Sequence, residues 1–453
     1  MIFPEVFLLR TKNIFEDKFD SFLEAFQEEP PVSIRMNPFK DGVCVTNTEK
    51  VSWASDACYL DRRPSFTLDP LFHAGCYYVQ EASSMFLEQI IKAHVKEPVK
   101  CLDLCAAPGG KSTQLSSVLP GGSLLVANEV IRSRSQILSE NLIKWGNPYT
   151  IVTNSDPEII GRNLPGFFDL IVADVPCSGE GMFRKDKNAI QEWSLPNVKL
   201  CAERQRRIIA DIWPSLKPGG ILVYSTCTYN TEENEENIHW IKETFGAELL
   251  DIEIPEEWNI VRTVKYDIPV FRFIPGQTKG EGFFMAVVRK PDIPEVAMRR
   301  NKAGKDRNRK DKVRIPDRIT HWVNHPDLFY FEENNGFVSA IPVRYKSDYL
   351  KIKDSLRIVH AGITIGEMKG KDVIPAHALA MSSCYNMGSF TLVEVDEQTA
   401  ISYLRRDAIS LPSHIEKGYV LLTYKKRPLG FMKNIGNRAN NLYPQEWRIR
   451  MAK

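Results

Sequence analysis

No two of the nine cysteines (44, 58, 76, 101, 105, 177, 201, 227 and 384) form a CxxC pair, and their number is odd. That pattern argues against a zinc cage or a disulfide framework, so no metal is expected and a reducing cytoplasm is. No stretch approaches the roughly 18 apolar residues that a membrane span requires. The opening MIFPEVFLLRTK lacks a basic stretch followed by an apolar one, so no export signal is expected. Neither common phosphate loop is present at the glycine turn near 109. GxxxxGK[ST] fails because Cys105 stands five residues before Gly110, and GxGxxG is missing as well, which disfavours a dinucleotide. Internal repeats are not seen.

What is present is ordinary globular material: 453 residues that are 43% hydrophobic, 26% charged and 10% aromatic. At roughly 150 residues per domain this length suggests about three domains. The net charge of +2 conceals a division. Residues 297–318 carry ten Lys/Arg against three Asp/Glu, and 319–453 carry 18 against 13, which leaves 1–296 at −10. An acidic front joined to a basic rear suggests a catalytic part attached to one that meets a polyanion.

Along the chain, helical stretches around 7–26 precede an SIRMNP segment and loop-rich sequence. From 99 to 290 short apolar runs (VKCLDL, SLLVANE, YTIVTN, FDLIVADV, ILVYST, FFMAVVR) alternate with helical patterns at 132–145, 199–216 and 232–245. Strands alternating with helices predict βαβ units and a mostly parallel sheet, whose ligands bind at the carboxyl ends of the strands. The run AMRRNKAGKDRNRKDKVRIPDR (297–318) has few apolar residues and predicts a basic linker. Beyond it, SFTLVEV, GYVLLTY and PLGFMK predict small β-containing modules.

VKCLDLCAAPGGKST (99–113) predicts a strand, a tight turn of small residues and a helix start. Ala106, Ala107, Gly109 and Gly110 let the backbone approach a ligand closely, and the following helix amides face it. The next strand ends in Glu129, placed to accept the hydroxyls of a ribose. Asp156, after YTIVTNS, is a further strand-end acid suited to an adenine amino group. Together these predict an adenosine-containing cofactor without a pyrophosphate.

Two cysteines stand at two further strand ends: Cys177 in DVPCSGEG and Cys227 in YSTCT. If those strands are parallel neighbours, both thiols converge on the mouth of the cofactor turn. Cys101 and Cys201 are expected in the core, and Cys105 is expected to contribute backbone. Reactive cysteines occupy polar, partly exposed surroundings, and both loops supply them. Asp174, just before Pro176–Cys177, is placed to bond an amino-pyrimidine edge. A thiolate adding to carbon 6 of cytosine makes carbon 5 able to take a methyl group, a hard step divided into easier ones.

DLCAAPGGKST, DVPCSGEG and YSTCT, with YVQEASSM (78–85) and GFFMAVV (282–288), resemble the RNA cytosine-5 methyltransferases of the Sun/Fmu group. The tail segments GITIGEMKGKDVIPAHALAMS, YLRRDAI, GYVLLTYKKRPLGFMKN and LYPQEWR resemble the PUA-like end of its bacterial ribosomal-RNA branch. The resemblance implies a Rossmann-like core of seven strands, with an N-terminal α+β extension and C-terminal PUA-like β-rich modules. It implies these divisions: 1–75 an N-terminal RNA-binding extension, 76–292 the methyltransferase domain, 293–318 a basic linker, 319–390 a first C-terminal domain and 391–453 a PUA-like RNA-binding domain. It implies S-adenosyl-L-methionine as cofactor, contacted by Cys105, Ala106, Ala107, Pro108, Gly109, Gly110, Lys111, Glu129, Asp156 and Asp174. Cys227 would be the nucleophile and Cys177 would assist release, with Lys111 and Asp174 near the target base. DNA enzymes attack with the PC cysteine instead, so spacing alone does not assign these roles. The implied partner is RNA, 16S rRNA or the small ribosomal subunit, for a cytoplasmic monomer that needs no membrane.

Val175 departs from the small residue usual before Pro-Cys. Arg35, Phe183, Arg184, Lys185, the 299–314 cluster and Lys425, Lys426 and Arg427 are candidate RNA contacts, to offset the cost of unstacking a base. His73 and His239 are expected to be structural. Removing 297–453 is expected to leave cofactor binding intact. Three rival readings remain: a cytosine-5 enzyme of tRNA or another RNA, a DNA cytosine-5 methyltransferase, and a non-catalytic rRNA-binding assembly factor.

Overall fold

The computed structural model describes residues 3–40, 48–292, 315–370 and 372–451. The basic run from 293 to 314, with the 299–314 cluster, and Cys44 lie outside the described residues.

A nine-stranded mixed sheet forms the centre. In chain order its strands are β1 (Lys100–Asp103), β2 (Leu124–Asn128), β3 (Thr150–Thr153), β4 (Phe168–Asp174), β5 (Leu216–Thr226), β6 (Glu248–Leu250), β7 (Phe271–Phe273), β8 (Phe283–Arg289) and β9 (Ile358–Ala361). The order across the sheet is β7-β8-β5-β4-β1-β2-β3-β9, with β6 also on β8. The five strands β1 to β5 pair in parallel, while β8 and β9 run antiparallel to their neighbours β5 and β3. Every residue of β2 and β3 is buried, as expected for parallel strands covered on both faces. One face buries Leu102, Val126, Ile171 and Leu222. The other buries Leu125, Leu170, Val172 and Val223.

The helices follow the sequence pattern with two shifts, the pattern at 232–245 starting only at Glu235. The pattern at 199–216 becomes Leu195–Ile212, because Ser194 caps the helix and a proline occupies its first turn. Arg132–Trp145 ends at Gly146, whose φ of 87° is left-handed, where a Cβ would meet the Met381 carbonyl at 2.2 Å.

The sheet is wider than the seven strands implied by the resemblance, and the extra edge comes from far along the chain. Strand β9, inside the stretch expected to be a separate first C-terminal domain, pairs with β3 and covers its edge. Ile341, Tyr345, Tyr349, Ile352, Leu356 and Ala361 join the core cluster of β1 and β2. Part of the central core thus belongs to 297–453, which speaks against the expectation that this stretch can be removed without disturbing the cofactor site.

At the N-terminus, helices Glu5–Phe15 and Phe19–Ala25 bury Phe7, Phe15 and Phe22 against Phe183, Trp193 and Tyr229. A small antiparallel sheet of Ala57–Leu60, Val32–Met36 and Tyr77–Val79 follows. Ile34 of this sheet, and Cys76 just before its last strand, share a cluster with Val420 and Met432 of the last four-stranded sheet and with Tyr443 after it. The two ends of the chain are thus packed together.

Candidate active site

The cofactor turn leaves β1 at Asp103. Ala107–Pro108 is a cis peptide, and Gly109, at φ 118°, caps helix Gly110–Val118 in a conformation that disfavours a side chain. Asp103 has no exposed surface, and burial pushes its carboxyl up to about 7. Its Oδ2 accepts from Ser112 Oγ at 2.6 Å, whereas Oδ1 has no hydrogen-bond partner. A cavity lies against the turn, lined by Asp103, Cys105–Pro108, Gly110, Lys111 and Asp174 on one side and Tyr78–Glu81 and Ser84 on the other. Burial, with Asp103 and Asp174 nearby, pushes the Cys105 thiol far above its ordinary range, so it stays a protonated wall residue.

Lys111 and Asp174 meet across this cavity, Nζ to Oδ2 2.8 Å. Burial pulls the ammonium down, but the Asp174 contact more than offsets this and leaves it above its ordinary value. Asp174 Oδ1 accepts from Ser225 Oγ at 2.7 Å, which ties the end of β4 to β5.

The two thiols sit just beyond those strand ends, with Cys177 Sγ 3.1 Å from Cys227 Sγ. The Cys227 amide also points to Cys177 Sγ at 3.4 Å. The contact with Cys227, together with burial, pushes the Cys177 thiol well above its ordinary range. Two buried carboxyls hold the loops together. Glu180 Oε2 accepts from Thr228 Oγ1 (2.6 Å), Tyr229 N (2.7 Å) and Asn230 N (3.0 Å). Its Oε1 accepts from Trp193 Nε1 at 2.9 Å and Asn230 Nδ2 at 3.2 Å. Glu233 accepts from Ser178 N (3.0 Å), Gln205 Nε2 (2.7 Å) and Asn230 Nδ2 (2.8 Å), and burial raises it to about 7. The loops approach so closely that a Cβ on Gly181 would sit 2.9 Å from the Cys227 carbonyl.

The sequence agrees with known proteins along nearly its whole length. A family model described as 16S rRNA methyltransferase RsmB/F matches residues 90–289. The models for the N-terminal domain of 16S rRNA methyltransferase RsmF and for the methyltransferase RsmF PUA domain match 3–82 and 390–449. The ribosomal RNA small subunit methyltransferase F of Citrobacter koseri is 30% identical over 98% of this chain and 96% of its own. The chain belongs to the RsmB/F family. The Escherichia coli K12 protein of the same name is likewise 30% identical, over 98% and 96% of the two chains. Among solved structures, a methyltransferase homolog protein from Pyrococcus horikoshii aligns at TM-score 0.54 and 29% identity, over 64% of this chain and 95% of that one. As a member of the RsmB/F family, the protein is an S-adenosylmethionine-dependent methyltransferase.

The RsmB/F-family site suits that cofactor. The unpartnered Asp103 Oδ1 is an acceptor for an amino group, and the helix amides behind Gly109 are donors for a carboxylate. Of the acids expected here, Glu129 leaves β2 buried, its carboxyl bonded by the Ile131 amide (2.9 Å) and paired with Arg134 (3.3 Å). Arg134 also donates to the Ala107 carbonyl at 2.8 Å, which links Glu129 to the turn. Glu129 does not line the cavity itself. Neither does Asp156, which is exposed and caps helix Pro157–Asn163 by accepting from the Glu158 amide at 3.0 Å. Asp103 is the residue that the sequence reading missed; its signal was its place at a strand end, two residues before Cys105.

Two expected RNA contacts, Arg35 and Phe183, are buried away from RNA, and a third, Arg184, reaches the wall of the large cleft but is held by buried groups. Arg35 is fully buried, and burial pulls it to about 9. It donates to Thr113 Oγ1 at 2.6 Å and Gln80 Oε1 at 2.9 Å and lies 4.6 Å over the Trp145 ring, fastening the N-terminal sheet to the cofactor helix. Arg184 pairs with buried Glu281 at 3.0 Å and donates to the Ala25 carbonyl. Phe183 has no exposed surface and packs among the N-terminal phenylalanines. Lys425 and Lys426, by contrast, are exposed at the tip of the hairpin between Gly418–Tyr424 and Arg427–Asn434. Cys101 and Cys201 are buried, and His73 bonds the Thr67 carbonyl at 2.9 Å, in keeping with structural roles. His239 stacks on Tyr266, ring centroids 4.5 Å apart. Val175 is buried in the core beneath the loop. Among the described residues no cluster suited to a metal is found, and no helix is long and apolar enough to cross a membrane.

Proposed function

We propose that this RsmB/F-family enzyme methylates carbon 5 of a cytosine in 16S rRNA of the small ribosomal subunit, working as a cytoplasmic monomer. The observation that carries the reading is the pair of thiols 3.1 Å apart at the ends of β4 and β5, beside a cavity closed by Lys111 and Asp174. The names of the curated relatives, ribosomal RNA small subunit methyltransferase F, support the choice of RNA. S-adenosylmethionine, when bound, supplies an electrophilic methyl group. Asp103, the turn from Cys105 to Lys111, Glu129 and Asp174 are the residues that hold it.

Cys227 Sγ, as a thiolate, adds to carbon 6 of the flipped cytosine, and this makes carbon 5 nucleophilic. Asp174 and Lys111 face the base edge and hold its orientation. After methylation, the proton on carbon 5 passes to solvent water, and its bonding electrons form the carbon 5–carbon 6 double bond as the carbon–sulfur bond breaks, with Cys177 assisting this release and Cys227 leaving as thiolate. The strand flanking the target enters by a large cleft of mixed charge that shares Val79, Gln80 and Glu81 with the cofactor cavity, carries Arg62, Arg63, Lys185 and Lys279, and is also lined by acids such as Glu28, Glu29 and Asp61. Residues 1–75 and 391–453 add RNA contacts.

The test is transfer of labelled methyl groups to small subunits, naked 16S rRNA and tRNA, followed by bisulfite mapping. The expected result is 5-methylcytosine in 16S rRNA. Label in tRNA alone, or RNA binding with no transfer to any substrate, overturns the assignment.

A further inference from the structure

Asn154, the first residue after strand β3, joins the C-terminal part of the chain to the segment that carries Glu129. Its backbone N–H donates to the Arg357 carbonyl at 2.9 Å. Its side-chain amide donates to two successive carbonyls, those of Glu129 at 2.7 Å and Val130 at 2.9 Å. Beside it, Ser155 Oγ accepts from the Arg357 N–H at 3.2 Å, and the Asn128 side chain holds the Ser155 N–H (3.0 Å) and carbonyl (2.9 Å). Two residues after Arg357, Val359 packs on the cluster that contains Ala106 and Ala107 of the cofactor turn.

We propose that Asn154 is a positioning residue for the cofactor: backed by the strand that begins beyond Arg357, it fixes the turn that presents the Glu129 carboxyl to the ribose. The inference rests on the reading of Glu129 as the ribose acceptor. Its physical basis is the place where β2 stops. Past Asn128 the last bond to β3 is from the Glu129 N–H to the Thr153 carbonyl at 3.1 Å, and Val130 and Ile131 beyond it are exposed. A carboxyl that must meet two hydroxyls needs its backbone held to about half an ångström. The Asn154 amide does this by clamping two adjacent carbonyls, while Arg134 and the Ile131 amide hold the carboxyl itself. The stretch around Arg357 and β9, which the proposed function leaves without an RNA role, thus preorganises the cofactor site.

Calorimetry of the full chain with S-adenosylhomocysteine tests this. In Asn154→Ala, the expected result is a dissociation constant and a KM for S-adenosylmethionine each raised about tenfold, with kcat at saturation and RNA affinity within about twofold of native. Ser155→Ala, which loosens only the Arg357 tie, moves the same constants in the same direction by less, and it carries the test if Asn154→Ala does not fold. Glu129→Gln is the benchmark. Native affinity in the Asn154 and Ser155 variants beside a weakened Glu129→Gln overturns the positioning role. Native affinity in Glu129→Gln overturns the ribose reading beneath it. A parallel fall in kcat and RNA affinity marks general distortion and also overturns the proposal.

Discussion

Cys177 and Cys227 are 50 residues apart in sequence, yet their sulfurs lie 3.1 Å apart. Neighbouring parallel strands β4 and β5 bring them together, in the register Asp174 to Ser225, so each loop starts from the same level of the sheet. That separation is within hydrogen-bond reach, with either thiol able to donate.

Replacing each thiol separates their roles. Cys227→Ala is expected to abolish both methylation and the covalent RNA adduct. Cys177→Ala is expected to accumulate an adduct that survives a denaturing gel, because release stalls. Free turnover by Cys177→Ala removes it from the release step, and an adduct in Cys227→Ala reverses the assignment.

Glu180 is the knot between the two thiol loops, since its carboxyl accepts from Thr228, Tyr229, Asn230 and Trp193. Glu180→Gln turns one acceptor oxygen into a donor facing other donors in a dry site. The expected cost is about 2–4 kcal/mol of stability by urea denaturation. Adduct formation is expected to slow even where the variant remains folded, because Cys227 loses its fixed place. A variant as stable and as fast as native refutes this.

Asp103 gives the enzyme a pH dependence of known sign. Its carboxyl stands near 7 in the fold, against about 3.9 in an unfolded chain. Between those values the folded protein binds the extra proton, so Asp103's contribution to stability is fully present below about 4 and is lost as pH rises through 7. Relative to native, Asp103→Asn should therefore gain stability with rising pH by at most about 1.4 kcal/mol per unit across that window. Binding of a cationic cofactor beside Asp103 favours its charged form, so calorimetry near pH 7 in two buffers should show proton release in native protein and none in Asp103→Asn. A melting-temperature difference that is flat with pH contradicts the assignment.

A chain ending at 292 loses β9 and exposes the core face that Ile341, Tyr345, Ile352 and Leu356 cover. With Tyr349, these five large buried side chains at roughly 1.5–3 kcal/mol each come to about 8–15 kcal/mol, comparable with the roughly 5–15 kcal/mol by which domains are stable. The truncated protein is expected to aggregate on gel filtration and to lose S-adenosylhomocysteine binding. A monodisperse truncation with native affinity would show that the core is complete without the C-terminal half.

Much of the site was legible because its signals are local. CAAPGG can form only a tight, close-approach turn, and the alternating apolar runs put Cys105, Glu129, Asp174, Cys177 and Cys227 at strand ends, where the structure has them. The roles of charged residues were less legible. Arg35 and Arg184 have the same composition whether they face solvent or a buried acceptor. Arg35 meets Gln80 and Thr113, 45 and 78 residues away, and no periodicity announces such a contact.

By itself, then, the sequence determined the βαβ order, the cofactor turn and the two cysteine loops, since each follows from side-chain size and period over a few residues. Only the tertiary structure decided that the two thiols touch, that Asp103 keeps one oxygen unpaired, and that β9 returns across two hundred residues to close the edge of β3. Those outcomes depend on which surfaces are left to bury once the local elements exist, and that is a property of the whole packed chain.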